Sequence, residues 1–288
     1  MQIIAQKFLN LSKKIIFSLK NKEIKSIIGR ERLKFTYEEV VEYVQIIFEH
    51  TLTHQNFKSI YKKLKLKITY QAFMKNIQLF AKLFQFLFHK INQFLGIKAS
   101  SLLNIVDTTL ISEKQSFFIN KNDWNLGRVT TRVKDKLKIR TCGSKGLIFM
   151  NRFNQIHSAK LIDINFSDQN ILKDHTYYLK ELKGILLADR GFSNKAVRER
   201  LSNIKNTVFS SQKPICRLIS PYQYKEKLTL NHKERKLYKK RWKIETLFQK
   251  LKHNYSETKL NLTGNYSKPI KGSKFYSTLI QYNLNLLP

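Results

Sequence analysis

The strongest constraint on how this chain can fold is its missing punctuation. Pro is absent from residues 1–98, and Gly occurs there only at positions 29 and 96. With those breakers gone and apolar residues recurring at three- and four-residue spacing, the region predicts helix after helix. Residues 38–52 (EEVVEYVQIIFEHTL) align Val40, Val41, Val44, Ile47 and Phe48 on one stripe. Residues 57–66 form a basic amphipathic segment, and 69–94 another with a wide apolar face. A helix-turn-helix within 57–80 fits this pattern; so does a packed bundle with a solvated lysine face. Gly96 followed by Ala99-Ser100-Ser101 marks a boundary. The expected division is a helical region over 1–98 and a second domain over 99–288.

Beyond residue 101 the period changes. Short apolar runs at 102–106, 147–150, 159–166, 185–189 and 207–210 read as strands. Ser167-Asp168 caps a helix running to about Leu182 and closed by Gly184, and 194–201 reads as another. Residues 212–230, holding two of the four prolines, read as loop; 231–253 reads as one long basic helix. Three strands in a row followed by strand–helix alternation predict an α/β fold, a mixed sheet with flanking helices.

Charge narrows the partners. The 288 residues carry 54 Lys plus Arg against 20 Asp plus Glu, a net +34. A compact state repels itself at that charge unless a polyanion neutralises it, and nucleic acid does so with release of counterions. Codon bias toward Lys, Asn, Ile and Phe also contributes, and an anionic membrane surface is the lesser alternative. A hydrophobic fraction of 42% supports a real core and excludes global disorder. Cys142 and Cys216 provide neither a disulfide framework nor a paired-Cys metal motif, so a cytoplasmic, nucleoid-associated location is expected. No apolar run reaches membrane-spanning length, and lysines at 7, 13, 14, 20, 22 and 25 interrupt any signal-peptide core.

Three acids stand out in this basic background. Asp107 follows Leu102-Leu103-Asn104-Ile105-Val106, and Asp189 follows Ile185-Leu186-Leu187-Ala188. Sites in open sheets form at the carboxyl ends of strands. Carboxylates there are costly to bury unless paired or metal-bound, and a divalent cation would relieve the repulsion between two of them. On the late helix, Tyr238, Arg241, Glu245 and Lys252 fall within an arc of roughly 60° at about 3.6 residues per turn. Ile244, Leu247, Phe248 and Leu251 form the adjoining apolar face. Packed by that face, the helix points Glu245 at the two Asp, with Arg241 one turn before to orient it. A surface helix with an ordinary (i, i+4) Arg–Glu pair is the plain alternative.

The spacing of Tyr238, Arg241, Glu245 and Lys252 resembles the signature helix of DDE transposases encoded by bacterial insertion sequences. Leu186-Leu187-Ala188-Asp189-Arg190-Gly191-Phe192 is similar to the family's second-Asp segment, and Ile105-Val106-Asp107-Thr108-Thr109 to its first. Gly143-Ser144-Lys145-Gly146 resembles a Gly-x-Lys element found there. The similarity extends over roughly residues 102–253. It implies a ribonuclease-H-like catalytic domain in which Asp107, Asp189 and Glu245 hold two Mg²⁺ ions, with Mn²⁺ as a substitute. It also implies that Tyr238, Arg241, Lys252, Lys145 and Arg190 contact DNA. The implied activity is cleavage at element ends and strand transfer into target DNA, by a homodimer on DNA. A structure-specific nuclease on the same core, or a decayed basic DNA-binding protein, are the alternatives. Residues 1–98 agree with the family in helical, basic character.

Only 55 residues separate Asp189 from Glu245, which leaves no room for a large insertion domain. Glu234, one turn before Tyr238, is a fallback third acid. His157, His175, His232 and His253 read as surface or DNA-facing, Asp168 as a cap, Asp174 as surface and Asp163 as outward-facing. Trp124 and Trp242 read as packing residues that are also able to stack on bases.

Overall fold

The computed structural model describes residues 2–53, 55–100, 102–116, 128–132, 138–164, 166–167, 170–171, 182, 184–189, 192, 216–219, 222–223, 226–227, 232–253 and 268–287. The chain divides into two compact units, Met1–Gly96 with Tyr255–Pro288, and Ile97–Asn254.

The first unit is helical: α1 (Gln2–Ser18), α2 (Asn21–Ile28), α3 (Tyr37–Thr53), α4 (Phe57–Leu64), α5 (Tyr70–Phe80) and α6 (Leu83–Phe94). Their apolar stripes meet around Phe8, which stacks on Phe48 at 3.7 Å between ring centroids and on Phe84 at 6.1 Å. Local chemistry sets the ends. Gly29 takes the left-handed backbone (φ 69°) that closes α2. Asn56 and Thr69 cap α4 and α5 by accepting from the Ser59 and Ala72 amides. The Tyr61 hydroxyl donates to the Ile68 carbonyl at 2.5 Å and closes the α4–α5 turn. The segment expected as one helix over 69–94 breaks at Ala81–Lys82. Its apolar residues surround the axis, and the bend lets α5 pack on α3 and α4 while α6 packs on α1.

The C-terminal helix α9 (Lys268–Asn285; α7 and α8 follow below) belongs to this helical unit rather than to the 99–288 region in which the sequence had left it. It packs on α1, α3, α5 and α6. Tyr276 meets Phe88, with ring centroids 5.8 Å apart, and the Asn283 amide donates to Asn92 Oδ1 at 2.9 Å. Its burial along almost the whole length explains the error, because a helix apolar and polar by turns on every side carries no periodic signal.

The second unit is built on a mixed sheet: β1 (Leu103–Ser116), β2 (Arg128–Arg132), β3 (Lys138–Asn151), β4 (Ile156–Asp163), β5 (Gly184–Ala188) and β6 (Cys216–Ile219). The order is β2-β3-β1-β5-β6, and β4 also pairs with β3. β1 and β3 are antiparallel, β1 and β5 parallel, β5 and β6 parallel. A two-stranded ribbon, β7 (Tyr222–Gln223) with β8 (Glu226–Lys227), follows. Then come α7 (His232–Tyr238), a 3₁₀ turn over Lys239–Arg241, and α8 (Trp242–His253).

Several expectations are corrected here. β1 does not end at Val106, just before Asp107, but runs on to Ser116, and its partner β3 begins at Lys138 rather than at 147. Past Asp107 the strand alternates instead of running apolar (Thr109 and Ile111 buried, Thr108 and Leu110 half-buried), a weaker sequence signal. β4 starts three residues earlier than expected. β6, with β7 and β8, lies inside the expected 212–230 loop. Pro214 and Pro221 flank β6 and so do not interrupt its pairing. The expected strand at 207–210 and helix at 194–201 lie outside the described residues, as does most of the helix expected up to 182. The long helix over 231–253 is interrupted by the 3₁₀ turn. His157, expected at the surface, is buried in β4 with its ring 5.9 Å from that of Phe149. It occupies the extra position where the β3–β4 register shifts between Phe149 and Met150. Asp163 is exposed as expected.

One sheet face is sealed by Val106, Leu147, Phe149, Ile162, Leu186 and Ala188, with Ile171, Leu182 and Phe192 over them. Two asparagines pin the start of β1 and the end of β3, which are register partners. Asn104 accepts from the Ser100 amide at 2.9 Å and donates back to its carbonyl at 2.8 Å. Asn151 donates to the Lys98 carbonyl and accepts from the Phe153 and Gln155 amides.

Candidate active site

The parallel β1–β5 register ends at Val106 opposite Ala188. Asp107 and Asp189 are therefore the next residues on neighbouring strands, which lie about 4.8 Å apart. Side chains alternate between faces. Val106 and Ala188 join the sealed core, so the two acids face the other way. That face receives α8, which packs on β1. The reason is in its sequence: Ile244, Leu247 and Leu251, spaced three and four apart, are each no more than 1% exposed. Trp242, 58% exposed, does not pack and is presented to solvent beside Arg241.

Arg241 ties the elements together. Its Nη1 donates to Asp107 Oδ2 at 2.7 Å, and its Nη2 donates to Glu245 Oε1 one turn later. The Asp107 and Arg241 side chains are 15% and 17% exposed, and Glu245 is 53% exposed. The inner half of this bridge is thus shielded and the outer half wet. Burial disfavours the Arg241 charge, yet Asp107, Tyr238, Asp189 and Glu245 together outweigh it and hold the guanidinium above its ordinary value. The Arg241 guanidinium also stands 5.9 Å from the Tyr238 ring. Burial pushes the Tyr238 phenol up; Arg241 opposes this, and the charges of Asp189 and Asp107 add to it. That phenol remains a hydrogen-bond donor at neutral pH.

The structure therefore brings Asp107, Asp189, Glu245, Arg241 and Tyr238 to one place, on β1, just past β5, on the 3₁₀ turn and on the helices beside it. Lys145, expected at DNA, lies on β3 and donates to the Phe166 carbonyl at 2.8 Å. Arg190 and the Lys252 side chain lie outside the described residues, as do Asp168, Asp174, His175, Trp124 and the His253 side chain. His232 is exposed on α7 and Glu234 half-buried. Among the described residues, no group of three His, Cys, Asp or Glu side chains is arranged to hold a metal ion. The Arg241 guanidinium engages oxygens of Asp107 and Glu245 at once. The donor chemistry nonetheless suits a hard divalent cation: the acids offer only oxygen, and two of them, from different elements, already converge on a single positive charge.

Sequence reasoning missed a feature of the helical unit. Residues 50–106 contain nine lysines and no Asp or Glu. Lys58, Lys62, Lys63, Lys65 and Lys67 are all exposed around the α4–α5 turn. A running count of acids along the sequence would have found it. No helix among the described residues is long and apolar enough to cross a membrane.

No curated protein and no solved structure matches the chain. The family model described as the transposase DDE domain matches residues 100–265, more than half of the sequence and all of the site just described. The chain belongs to the transposase DDE-domain family.

Proposed function

We propose that this chain is the transposase of a bacterial insertion sequence, cutting DNA at the element's ends and joining those ends to target DNA as a homodimer. One observation carries the reading. Carboxylates of Asp107 on β1 and Glu245 on α8, far apart in sequence, both pair with the single guanidinium of Arg241, and Asp189 follows the β5 residue that is register partner to Val106. The strand order β4-β3-β1-β5-β6, with the first three antiparallel and the last two parallel to β1, supports a ribonuclease-H-like core.

In this reading Asp107, Asp189 and Glu245 would hold two Mg²⁺ ions, with Mn²⁺ able to replace them. When bound, the metal would supply an activated water or 3′-hydroxyl and charge neutralisation at the leaving oxygen. The chain's own residues do the rest. Tyr238 keeps its proton and offers it to a phosphate oxygen. Arg241 presents two N–H groups in a fork that matches phosphate. Lys239 and Lys240, exposed beside it, attract the backbone; Lys145, Arg190 and Lys252 extend the contact. Strand transfer exchanges one phosphodiester for another, so no nucleotide energy source is required.

The test is a strand-transfer assay with Mg²⁺ on DNA carrying the element's ends. Joined products are expected, with Asp107→Ala, Asp189→Ala and Glu245→Ala each reducing them more than about 10³-fold while end binding persists. Cleavage without joining would instead indicate a nuclease, and binding alone a decayed copy. Loss of activity in Glu234→Ala but not Glu245→Ala would move the third ligand to α7.

A further inference from the structure

We infer that Arg241 is a gate: it occupies the carboxylate oxygens that a metal needs and yields them only when a DNA phosphate takes its guanidinium. This rests on the proposed reading of the acids as metal ligands and adds how their loading is controlled.

Three observations lead there. First, the guanidinium and a divalent ion would compete for the same atoms, Asp107 Oδ2 and Glu245 Oε1, both already committed to Arg241. Second, Arg241 closes the 3₁₀ turn between α7 and α8. Such turns are poorer in hydrogen bonding than α-helix and commonly act as hinges. Arg241 can therefore swing while α8 stays anchored by Ile244, Leu247 and Leu251. Third, the outer end of the bridge is open to solvent at Glu245, beside exposed Lys239 and Lys240. A phosphate drawn to those lysines reaches Arg241 from the wet side and offers a bidentate partner that replaces the two carboxylates. Asp107 Oδ2 and Glu245 Oε1, released by the guanidinium, are then able to ligate a divalent ion.

The consequence is thermodynamic coupling. DNA raises metal affinity, metal raises DNA affinity by the same factor, and the protein off DNA remains poorly loaded. A role for Arg241 confined to orienting Glu245 predicts the opposite in the free protein, where its removal would weaken metal binding.

The experiment measures Mn²⁺ binding to the full chain by electron paramagnetic resonance, with and without a 30-base-pair duplex. An Asp107→Asn/Asp189→Asn double variant reports the duplex's own bound metal. In the wild type the duplex is expected to tighten Mn²⁺ binding by about 10-fold or more, within the usual range of allosteric coupling. Arg241→Gln should bind Mn²⁺ at least about 10-fold tighter than wild type without DNA and gain little from the duplex. Arg241→Lys, which keeps the charge but lacks the planar fork that engages two carboxylates in fixed geometry, should fall between them and serves if the glutamine variant does not fold. Tight binding by the wild type without DNA, or no gain in either variant, overturns the gate and leaves the ligand assignment standing. Equal binding by wild type and the double Asn variant overturns both.

Discussion

The helical unit and the sheet unit treat positive charge in opposite ways. Around the α4–α5 turn, lysines stand exposed in a stretch of 57 residues without a single acid. At the sheet, the cation that matters is drawn inward and held between carboxylates. The same excess of basic residues thus yields two devices. One is an exposed surface with no acid in its own stretch of sequence; the other is an internal pair whose charge is balanced until something displaces it. Net charge alone, +34 for the whole chain, does not distinguish them; the local position of acids does.

Three changes press on that contrast. The largest effect is expected in the acid-free stretch. Replacing Lys58, Lys62, Lys65 and Lys67 with Gln should lower the slope of log affinity against log salt by about 3 to 4 if each contacts a phosphate, since each contributes about 0.9. Fluorescence anisotropy across a salt series reads this directly. An unchanged slope would mean that these lysines are a solvated face and not a DNA surface.

Next in size is an effect of burial rather than of charge pairing. Burial lowers His157 from 6.5 to about 3. As pH falls, the unfolded chain takes up this proton first. The stability His157 permits is therefore complete above 6.5 and is lost progressively toward pH 3, by about 4 to 5 kcal/mol. Denaturant melts of wild type and His157→Leu between pH 7 and 4 should show a flatter dependence in the variant. Parallel curves would refute the assignment.

The smallest effect sharpens the contrast most. Glu245 is half exposed, so Glu245→Gln should cost less than about 1 kcal/mol of stability in the same melts, while strand transfer collapses. A large loss of stability would make the Arg241–Glu245 pair a structural bridge first and a functional one second.

Much of this is legible in the chain itself. The three acids, the Arg241–Glu245 spacing and the apolar stripe of α8 each follow from local pattern, and the structure brings these residues to one end of the sheet. What escaped depends on long-range pairing. β1 beyond Asp107 is stabilised by β3, a partner that begins 31 residues further along. β6 sits between prolines that read as loop. The reach of Arg241 to Asp107 spans 134 positions, which no periodicity argument can register. His157 was misplaced because an imidazole is polar by residue type, whereas a strand bulge decides which way it faces.

The helix at Lys268–Asn285 sets an order of events during synthesis. Residues 2–94 leave the ribosome long before the segment that their side chains enclose, and in the interval Phe88 and Asn92 lack Tyr276 and Asn283. A message cut short after codon 254 would encode the whole acidic trio, yet its leading helices would have a groove where their central rod belongs. The early helices therefore depend for their packing on a segment made only after the acids' segment is complete.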